Sequence, residues 1–226
     1  MKNQKLVISV GGSLLVPKLP PQAENFKKYA NFLMDLSFHG HYVLAVCGGG
    51  ELARDYQRKL APRDFHGRDL AGIKATKENA MKLCRYLGNF GTKVILDYRS
   101  VPRYYGKKIV CVGGNKPGHS TDWDAAFFAQ RLSADLIINA TNVDGIYSCD
   151  PKKSKLAELI PDITYDTYLK QFGSAWEPGM HAPFDYKAAS LMVNSKHRIP
   201  TVIVNGTNLE NILAAIEGKK VGTLLY

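Results

Sequence analysis

The sequence predicts a mostly parallel α/β sandwich. Three observations carry that reading: short apolar runs that do not alternate with polar residues, helical-period segments lying between many of them, and glycine-rich turns that end three of the runs. A continuous apolar run is the pattern of a strand covered on both faces. Such strands alternating with helices imply crossovers on both sides of a sheet.

The runs, in order, are "LVIS" from Leu6, "YVLAV" from Tyr42, "VIL" from Val94, "IVCV" from Ile109, "LIIN" from Leu136, "TVIV" from Thr201 and "VGTLLY" at the end. Phe26, Tyr29, Ala30 and Leu33 fall at i, i+3, i+4 and i+7, and Leu52, Tyr56 and Leu60 repeat every four residues, so "NFKKYANFLMDL" and "ELARDYQRKL" read as amphipathic helices. Further helices are expected at "IKATKENAMKLCRYL", "DWDAAFFAQRLS", "DYKAASLMVNS" and "NLENILAAIEG". Two stretches, Thr141 to Lys155 and Gly173 to Pro183, read as long loops, of the kind that are functional inside a compact domain. No internal repeat, low-complexity tract or linker divides the 226 residues, which are enough for one self-sufficient core.

Composition excludes several classes. The opening residues carry too short an apolar run for a signal peptide, and no stretch approaches the roughly 18 apolar residues of a membrane span, so a cytoplasmic protein without membrane association is expected. Cys47, Cys84, Cys111 and Cys149 form no CxxC pair and have no histidine at ligand spacing, which argues against zinc, a redox motif or a disulfide framework. The formal charge of +10 implies attraction to anions. Because the basic residues are spread along the chain, small phosphorylated ligands explain it better than nucleic acid does.

Glycine pairs at the ends of three strands supply a reason for that charge. In a parallel sheet, ligands gather beyond the carboxyl ends of the strands, so "VGGSLL", "CGGGELAR" and "VGGNKPGHST" should face one crevice. Glycine lets a phosphate approach the backbone amides, and the helix that follows offers unpaired N–H groups. The G-x-x-x-x-G-K-[ST] motif is absent, which excludes the P-loop class. Gly48 to Ala53 matches the loose G-x-G-x-x-A dinucleotide pattern, and Asp69 has the spacing of its acid, but "APRDFHGRDLAG" does not read as a strand. Ser120, Thr121 and Asp122 precede a helix, with Thr121 and Asp124 at capping-box spacing. Capping leaves Asp122 unexplained beside an anion-friendly turn, where a carboxylate would orient a cationic group or Mg²⁺. In "NATNVDGIYSCDPKK", Asn142, Asp144-Gly145 and Asp150-Pro151 are turn chemistry, Tyr147 offers a flat face for a base, and Lys152 and Lys153 offer charge for phosphates.

Taken together, "GGSLL", "CGGGELAR", "RDLAGIKATKENAM", "GGNKPGHSTD" and "NATNVDGIYSCDPKK" resemble the amino acid kinase superfamily and, in this order and spacing, its archaeal uridylate (UMP) kinase branch. The resemblance implies a single three-layer αβα domain over residues 1–226, its N-terminal part mainly on the UMP side and its part from about 135 mainly on the ATP side. It implies transfer of the γ-phosphoryl of ATP to UMP in pyrimidine nucleotide synthesis, with Mg²⁺ held mainly by nucleotide phosphates rather than by a protein ligand, and a homo-oligomer, usually a hexamer. By matching position, Gly11, Gly12 and Ser13 would lie against the ATP phosphates, Gly49 would meet the UMP phosphate, and Gly50 and Arg54 would sit near the phosphoryl in transfer. Asp69 would hold the uridine ribose. Gly114, Asn115, Lys116, Pro117, Gly118, His119, Ser120 and Thr121 would wrap UMP, with Asp122 as the organising carboxylate, and Thr141, Asn142, Tyr147 and Asp150 would hold ATP. Arg54, Asp122 and Gly12 are the catalytic candidates.

The chain also departs from that pattern. Many superfamily members carry a lysine two residues before the first glycine pair, where this chain has Ser9. Lys5 lies about 13 Å back along the strand, out of reach. Arg54, Lys116 and Lys187, in that order, are the candidate replacements. "NK" at Asn115 and Lys116 and "WEPGMHAPF" are further departures. His119 is not expected to be a base, because an acceptor that is already a phosphate dianion needs no proton removed. Two other readings share these residues: a sibling kinase for another acid or phosphate, such as isopentenyl phosphate or acetylglutamate, and a non-catalytic nucleotide- or oxyanion-binding protein, for which Ser9 is the argument.

Overall fold

A computed structural model describes residues 3–92, 98–149, 151, 154, 156–173 and 184–226. The strands β1 (Lys5–Val10), β2 (Tyr42–Cys47), β3 (Val110–Val112), β4 (Leu136–Thr141), β5 (Asp162–Ile163), β6 (Thr201–Asn205) and β7 (Thr223–Leu225) make one sheet in the order β3-β2-β1-β4-β6-β7-β5. The first five strands of that order are mutually parallel, β7 runs antiparallel to β6, and β5 is parallel to β7. The helices are α1 (Gly12–Leu15), α2 (Ala23–Phe38), α3 (Gly50–Arg58), α4 (Phe65–Leu87), α5 (Val101–Tyr104), α6 (Thr121–Leu132), α7 (Tyr165–Phe172), α8 (Tyr186–Val193) and α9 (Leu209–Ile216).

Strand periodicity sorts the core into two slabs. Leu6, Ile8 and Val10 of β1, with Val43, Ala45 and Cys47 of β2 and Leu136, Ile138 and Ala140 of β4, pack against α2, α4 and α9. The alternate residues Val7, Leu44, Val46 and Ile137 pack against α5, α6, α7 and α8. This is the expected three-layer αβα sandwich, mostly parallel as its continuous apolar runs require.

Six of the seven apolar runs become strands; the run at Val94 lies outside the described residues. All six helices read from periodicity form, and α4 begins earlier than its apolar repeat, so "DFHGRDLAG" is helical and not a strand. Asp64 caps it by accepting the Gly67 amide at 2.8 Å. The cap of α6 is Ser120, whose Oγ accepts the Trp123 amide at 3.1 Å, and not Thr121. Asp124 is thereby released from the capping-box role its spacing suggested and points into the interior. The elements not read from the sequence are short: α1, α5, β5 and the two-turn α7, whose buried Tyr165 and Tyr168 lie in a polar setting that hides the repeat. Cys47 and Cys111 are buried and Cys149 is exposed, all as free thiols.

The parallel ladder delivers its glycine turns to one end of the sheet, and there they interlock. Ladder hydrogen bonds continue past the strands, from the Gly11 amide to the Ala140 carbonyl (2.8 Å), from Gly48 to Val10 (2.9 Å) and from Gly206 to Thr141 (2.8 Å). A Cβ on Gly12 would stand 1.9 Å from the Gly50 nitrogen, and one on Gly48 would stand 2.3 Å from the Gly12 nitrogen. Gly50 also has φ +60°, which favours glycine by conformation as well as by space. Gly12→Ala is therefore expected to force the turns after β1 and β2 apart at a cost of about 1–3 kcal/mol. Thermal unfolding should report it as a midpoint lower by about 3–10 °C; an unchanged midpoint would contradict the interlock.

Candidate active site

Two helices begin at the interlocked turns. Their N-cap residues, Gly11 and Gly49, provide no side-chain cap, so the first amides of α1 and α3 lack intrahelical partners. The amides of Gly11 and Gly48 are spent on the ladder. Those of Gly12, Ser13, Gly49 and Gly50 find no acceptor among the described residues, and they cluster where the two turns touch. That is a concave group of N–H donors without a Cβ between them, suited to anionic oxygens.

Beside the donors lies a polar nest, placed by strand register. Ser9 of β1 pairs with Asn139 of β4, and both fall on the α6 side of the sheet, at the last turnable position before the crevice. Ser9 Oγ donates to Asp122 Oδ1 at 3.2 Å. Enclosure and the neighbouring Asp185 carboxylate push the Asp122 carboxyl up to about 6, against hydrogen bonds from the Ser9 hydroxyl, the Asp185 amide and the Asn139 side chain. Asp185 also caps α8, accepting the Lys187 amide at 2.8 Å, and receives the Ser120 hydroxyl. Two carboxylates held within reach of each other's charge, among hydroxyl and amide oxygens, are hard oxygen donors that suit Mg²⁺ with several of its waters retained. No group of three or more His, Cys, Asp or Glu side chains placed to hold a metal ion occurs among the described residues.

The loop from Gly114 to Thr121 is tied down at both ends. Its start is held by the Gly114 amide, which donates to Thr76 Oγ1 at 2.7 Å, and by the Asn115 amide, which donates to Asp124 Oδ2 at 3.3 Å. Tyr98 donates to the Gly113 carbonyl at 2.6 Å. At its tip, Gly118 takes φ +78°; its amide donates to Asp69 Oδ2 and its carbonyl accepts from Lys187 Nζ, both at 2.7 Å. Asp69, in the second turn of α4, is thus brought to the loop, its carboxylate accepting the Gly118 amide. The Gly114 amide, by contrast, is consumed within the protein. The His119 ring lies over Trp123 with centroids 3.7 Å apart, and burial and the Lys187 and Lys116 charges hold its pKa below the ordinary histidine value. Lys116 and Pro117 are exposed on the loop and Thr121 opens α6.

Among the cations, Arg54 projects from α3 and pairs through Nε with Glu51 at 2.6 Å, sharing that carboxylate with Arg58 at 2.7 Å. Lys187 serves Gly118. Asp122 is met by the Ser9 hydroxyl, where a lysine at position 9 would have stood.

On the far side of β1, Thr141 ends β4, Asn142 is exposed, and the turn beyond is organised by Asp144. Its two oxygens accept Asn205 Nδ2 at 2.9 Å and the Tyr147 hydroxyl at 3.1 Å, which fixes the Tyr147 ring. Asp150, Lys152 and Lys153 lie outside the described residues, as does "WEPGMHAP".

Residues that sequence reasoning missed are Asp185, Asn139, Thr76, Tyr98 and Asn205. Asn139 had a legible signal, since it is the polar residue of an otherwise apolar run, like Ser9. Asp185 precedes a helix and reads as an ordinary cap; only packing carries it to Asp122.

Comparison with known proteins shows the family and the fold. Residues 4–205 match the model of the amino acid kinase family. A uridylate kinase of Methanobrevibacter smithii is 35% identical over 225 residues, covering 97% of each chain. The crystal structure of uridylate kinase from Archaeoglobus fulgidus superimposes with a TM-score of 0.82 at 35% identity, over 98% of this chain and 100% of that one. The UMP kinase of Bacillus anthracis shares the fold, with a TM-score of 0.79 at 20% identity over 98% of this chain and 95% of that one.

The loop anchor carries a measurable pH signature. Asp124 is fully buried, and burial pushes its carboxyl up to about 7 against the Asn115 amide and the Lys77 charge. A carboxyl raised on folding from 3.8 favours the folded state while protonated, so its contribution is full below about 4 and is lost as pH rises through about 7. Asp124→Asn removes that titration. Urea unfolding of the wild type should accordingly lose stability relative to Asp124→Asn between those pH values, and a constant difference would refute the assignment.

Proposed function

The chain belongs to the amino acid kinase family, and from that membership we propose that it phosphorylates UMP, taking the γ-phosphoryl of ATP and releasing UDP and ADP. The single observation that carries this reading is the interlock of the turns after β1 and β2, which sets the Gly12–Ser13 and Gly49–Gly50 amides against each other. Donors on two turns that touch suit two phosphates meeting head to head, the geometry an in-line transfer needs.

The donor nucleotide lies over β4 and β6. Gly12 and Ser13 receive its phosphates, the fixed Tyr147 ring faces its base, and Thr141 and Asn142 line its ribose side; Gly11, its amide spent on the ladder, serves by its bareness. UMP lies over β2 and β3. Gly49 and Gly50 take its phosphate and the phosphoryl in transfer, and Asp69 and the loop of Gly114–Thr121 enclose the nucleoside, His119 offering a neutral ring. No base is required, since the attacking oxygen belongs to a phosphate already ionised. Catalysis rests on alignment and on charge stabilisation by fixed amides, worth about 3–4 kcal/mol per group in such sites. Asp122 and Asp185 are the carboxylates that would help hold a Mg²⁺ arriving on the phosphate oxygens, and such an ion would supply neutralisation of the transferring phosphoryl. Arg54 adds charge by exchanging its Glu51 partner for phosphate. Assembly as a hexamer, a place in pyrimidine nucleotide synthesis and a cytoplasmic setting complete the reading.

Phosphorus NMR of protein mixed with MgATP and UMP should show UDP appearing, and a panel including isopentenyl phosphate and acetylglutamate should give slower turnover. Binding of both nucleotides without turnover would instead favour the storage reading that Ser9 invites. For the wild type, kcat should fall as pH drops below about 6, where Asp122 takes up a proton, and Asp122→Asn should be slow at every pH. Arg54→Ala should lower kcat about tenfold to a hundredfold, the equivalent of 1.4–2.8 kcal/mol, with little change in thermal midpoint.

A further inference from the structure

Helix α4 carries a polar pair that the reading above leaves unused. Asn79 is almost wholly buried, and its Nδ2 donates to the carbonyls of Gly48 at 2.8 Å and Gly49 at 3.1 Å. One turn earlier, Thr76 Oγ1 accepts the Gly114 amide while donating to the Ile73 carbonyl at 2.7 Å. A Cβ on Gly113 would meet the Lys77 nitrogen at 2.6 Å, so the turn after β3 rests directly on the same stretch of helix.

The consequence follows from peptide geometry. In a trans peptide the C=O of one residue and the N–H of the next point in opposite directions across one plane. Drawing the Gly48 and Gly49 carbonyls toward α4 therefore turns the Gly49 and Gly50 amides away from α4. On that side lies Gly12, from whose Cβ position the two nitrogens stand 2.6 and 1.9 Å. Thr76 does the reverse to the turn after β3: it draws the Gly114 amide onto α4, while the Gly113 carbonyl on the opposite side of that peptide accepts from Tyr98.

We infer that Asn79 is a positioning residue, whose two hydrogen bonds to the Gly48 and Gly49 carbonyls aim the Gly49 and Gly50 amides at the acceptor phosphate, with Thr76 fixing the neighbouring turn from the same helix face. The inference rests on the phosphoryl-transfer reading for its ligand, but the clamp itself is a property of the turn. Asn79 touches no reacting atom; it acts through the glycines.

The experiment compares Asn79→Ala and Asn79→Asp with the wild type. Asn79→Ala should lower kcat/KM for UMP about tenfold to a hundredfold and leave KM for ATP within about threefold. Asn79→Asp keeps the shape but presents a carboxylate to two carbonyls. Only its protonated form donates, and surrounding acceptors raise the pH at which it protonates. Relative to the wild type, Asn79→Asp should therefore regain activity as pH is lowered, while Asn79→Ala stays flat; this rescue is not expected of a residue that only fills space. Should Asn79→Ala fail to fold, the profile of Asn79→Asp against the wild type decides the same point. A flat Asn79→Asp ratio, or kcat/KM within about threefold of wild type in both variants, overturns the inference. If the wild type did not turn over UMP, the functional reading would fall on its own. The clamp would then be judged by hydrogen exchange at the Gly48 and Ala53 amides, which donate to the Val10 and Gly49 carbonyls and which an Asn79→Ala or Asn79→Asp variant should accelerate at least about tenfold; unchanged exchange in both would overturn it.

Discussion

Everything in the crevice depends on the backbone contact between two glycine turns. Gly12 sits so close to Gly49 and Gly50 that a single methyl group would overlap a backbone nitrogen. The parallel ladder between β1 and β2 brings the turns to the same level, through registered pairs from Lys5 with Tyr42 to Val10 with Cys47. A slip of one residue would turn Ser9 into the opposite slab and move Gly12 off Gly50. Register is secured by the apolar residues on both faces, so the hydrophobic core and the donor geometry are two consequences of one alignment.

The same alternation explains why charged chemistry sits against a dry core. Val7 and Ser9 share a face, as do Ile137 and Asn139, so the slab between sheet and α6 is apolar at its middle and turns polar toward its carboxyl end. Asp122 enters at that end from the first turn of α6, and Asp185 from the start of α8. Neither carboxylate meets a cationic side chain strong enough to restore an ordinary acidity to Asp122; hydroxyl and amide donors hold it instead. Such a pair is a standing electrostatic cost in the unliganded protein, and any cation arriving with a ligand relieves it.

The layered architecture, the parallel strands, six of the helices and the meeting of the glycine turns were legible in the sequence because each rests on local pattern: uninterrupted apolar runs, helical periodicity and glycine after a strand. Asp69 was singled out by its motif as a ribose ligand; that it accepts the Gly118 amide is a contact the motif did not announce. What was not legible is where side chains go once packing chooses among several options. The Thr121–Asp124 spacing read as a capping box, yet Ser120 took the cap and Asp124 turned inward to hold the Asn115 amide. The resemblance put Arg54 near the transferring group; that Glu51, three residues earlier on the same helix, pairs with it was not read from the sequence. Asp185 and Asp122 are distant in sequence and meet only through α8 packing on α6, a contact that no local pattern announces.

Ser9 ties these points together. A lysine at this position would extend from β1 into the slab beside Asp122, neutralise it and reach the phosphoryl from beneath. With serine there, Asp122 is held by a hydroxyl, remains partly protonated near neutral pH and presents net negative charge to the crevice. On the proposed reading, the demand for positive charge then shifts outward, to amides that are fixed by backbone and cannot titrate, to an arginine that would have to leave Glu51, and to a divalent cation that would travel with nucleotide. The charge balance of this site is thus completed by its ligands, which makes correct aim of the Gly49 and Gly50 amides more consequential here than where a buried lysine stands guard. Helix α4 meets that requirement from behind, through the two hydrogen bonds that keep the turn facing forward.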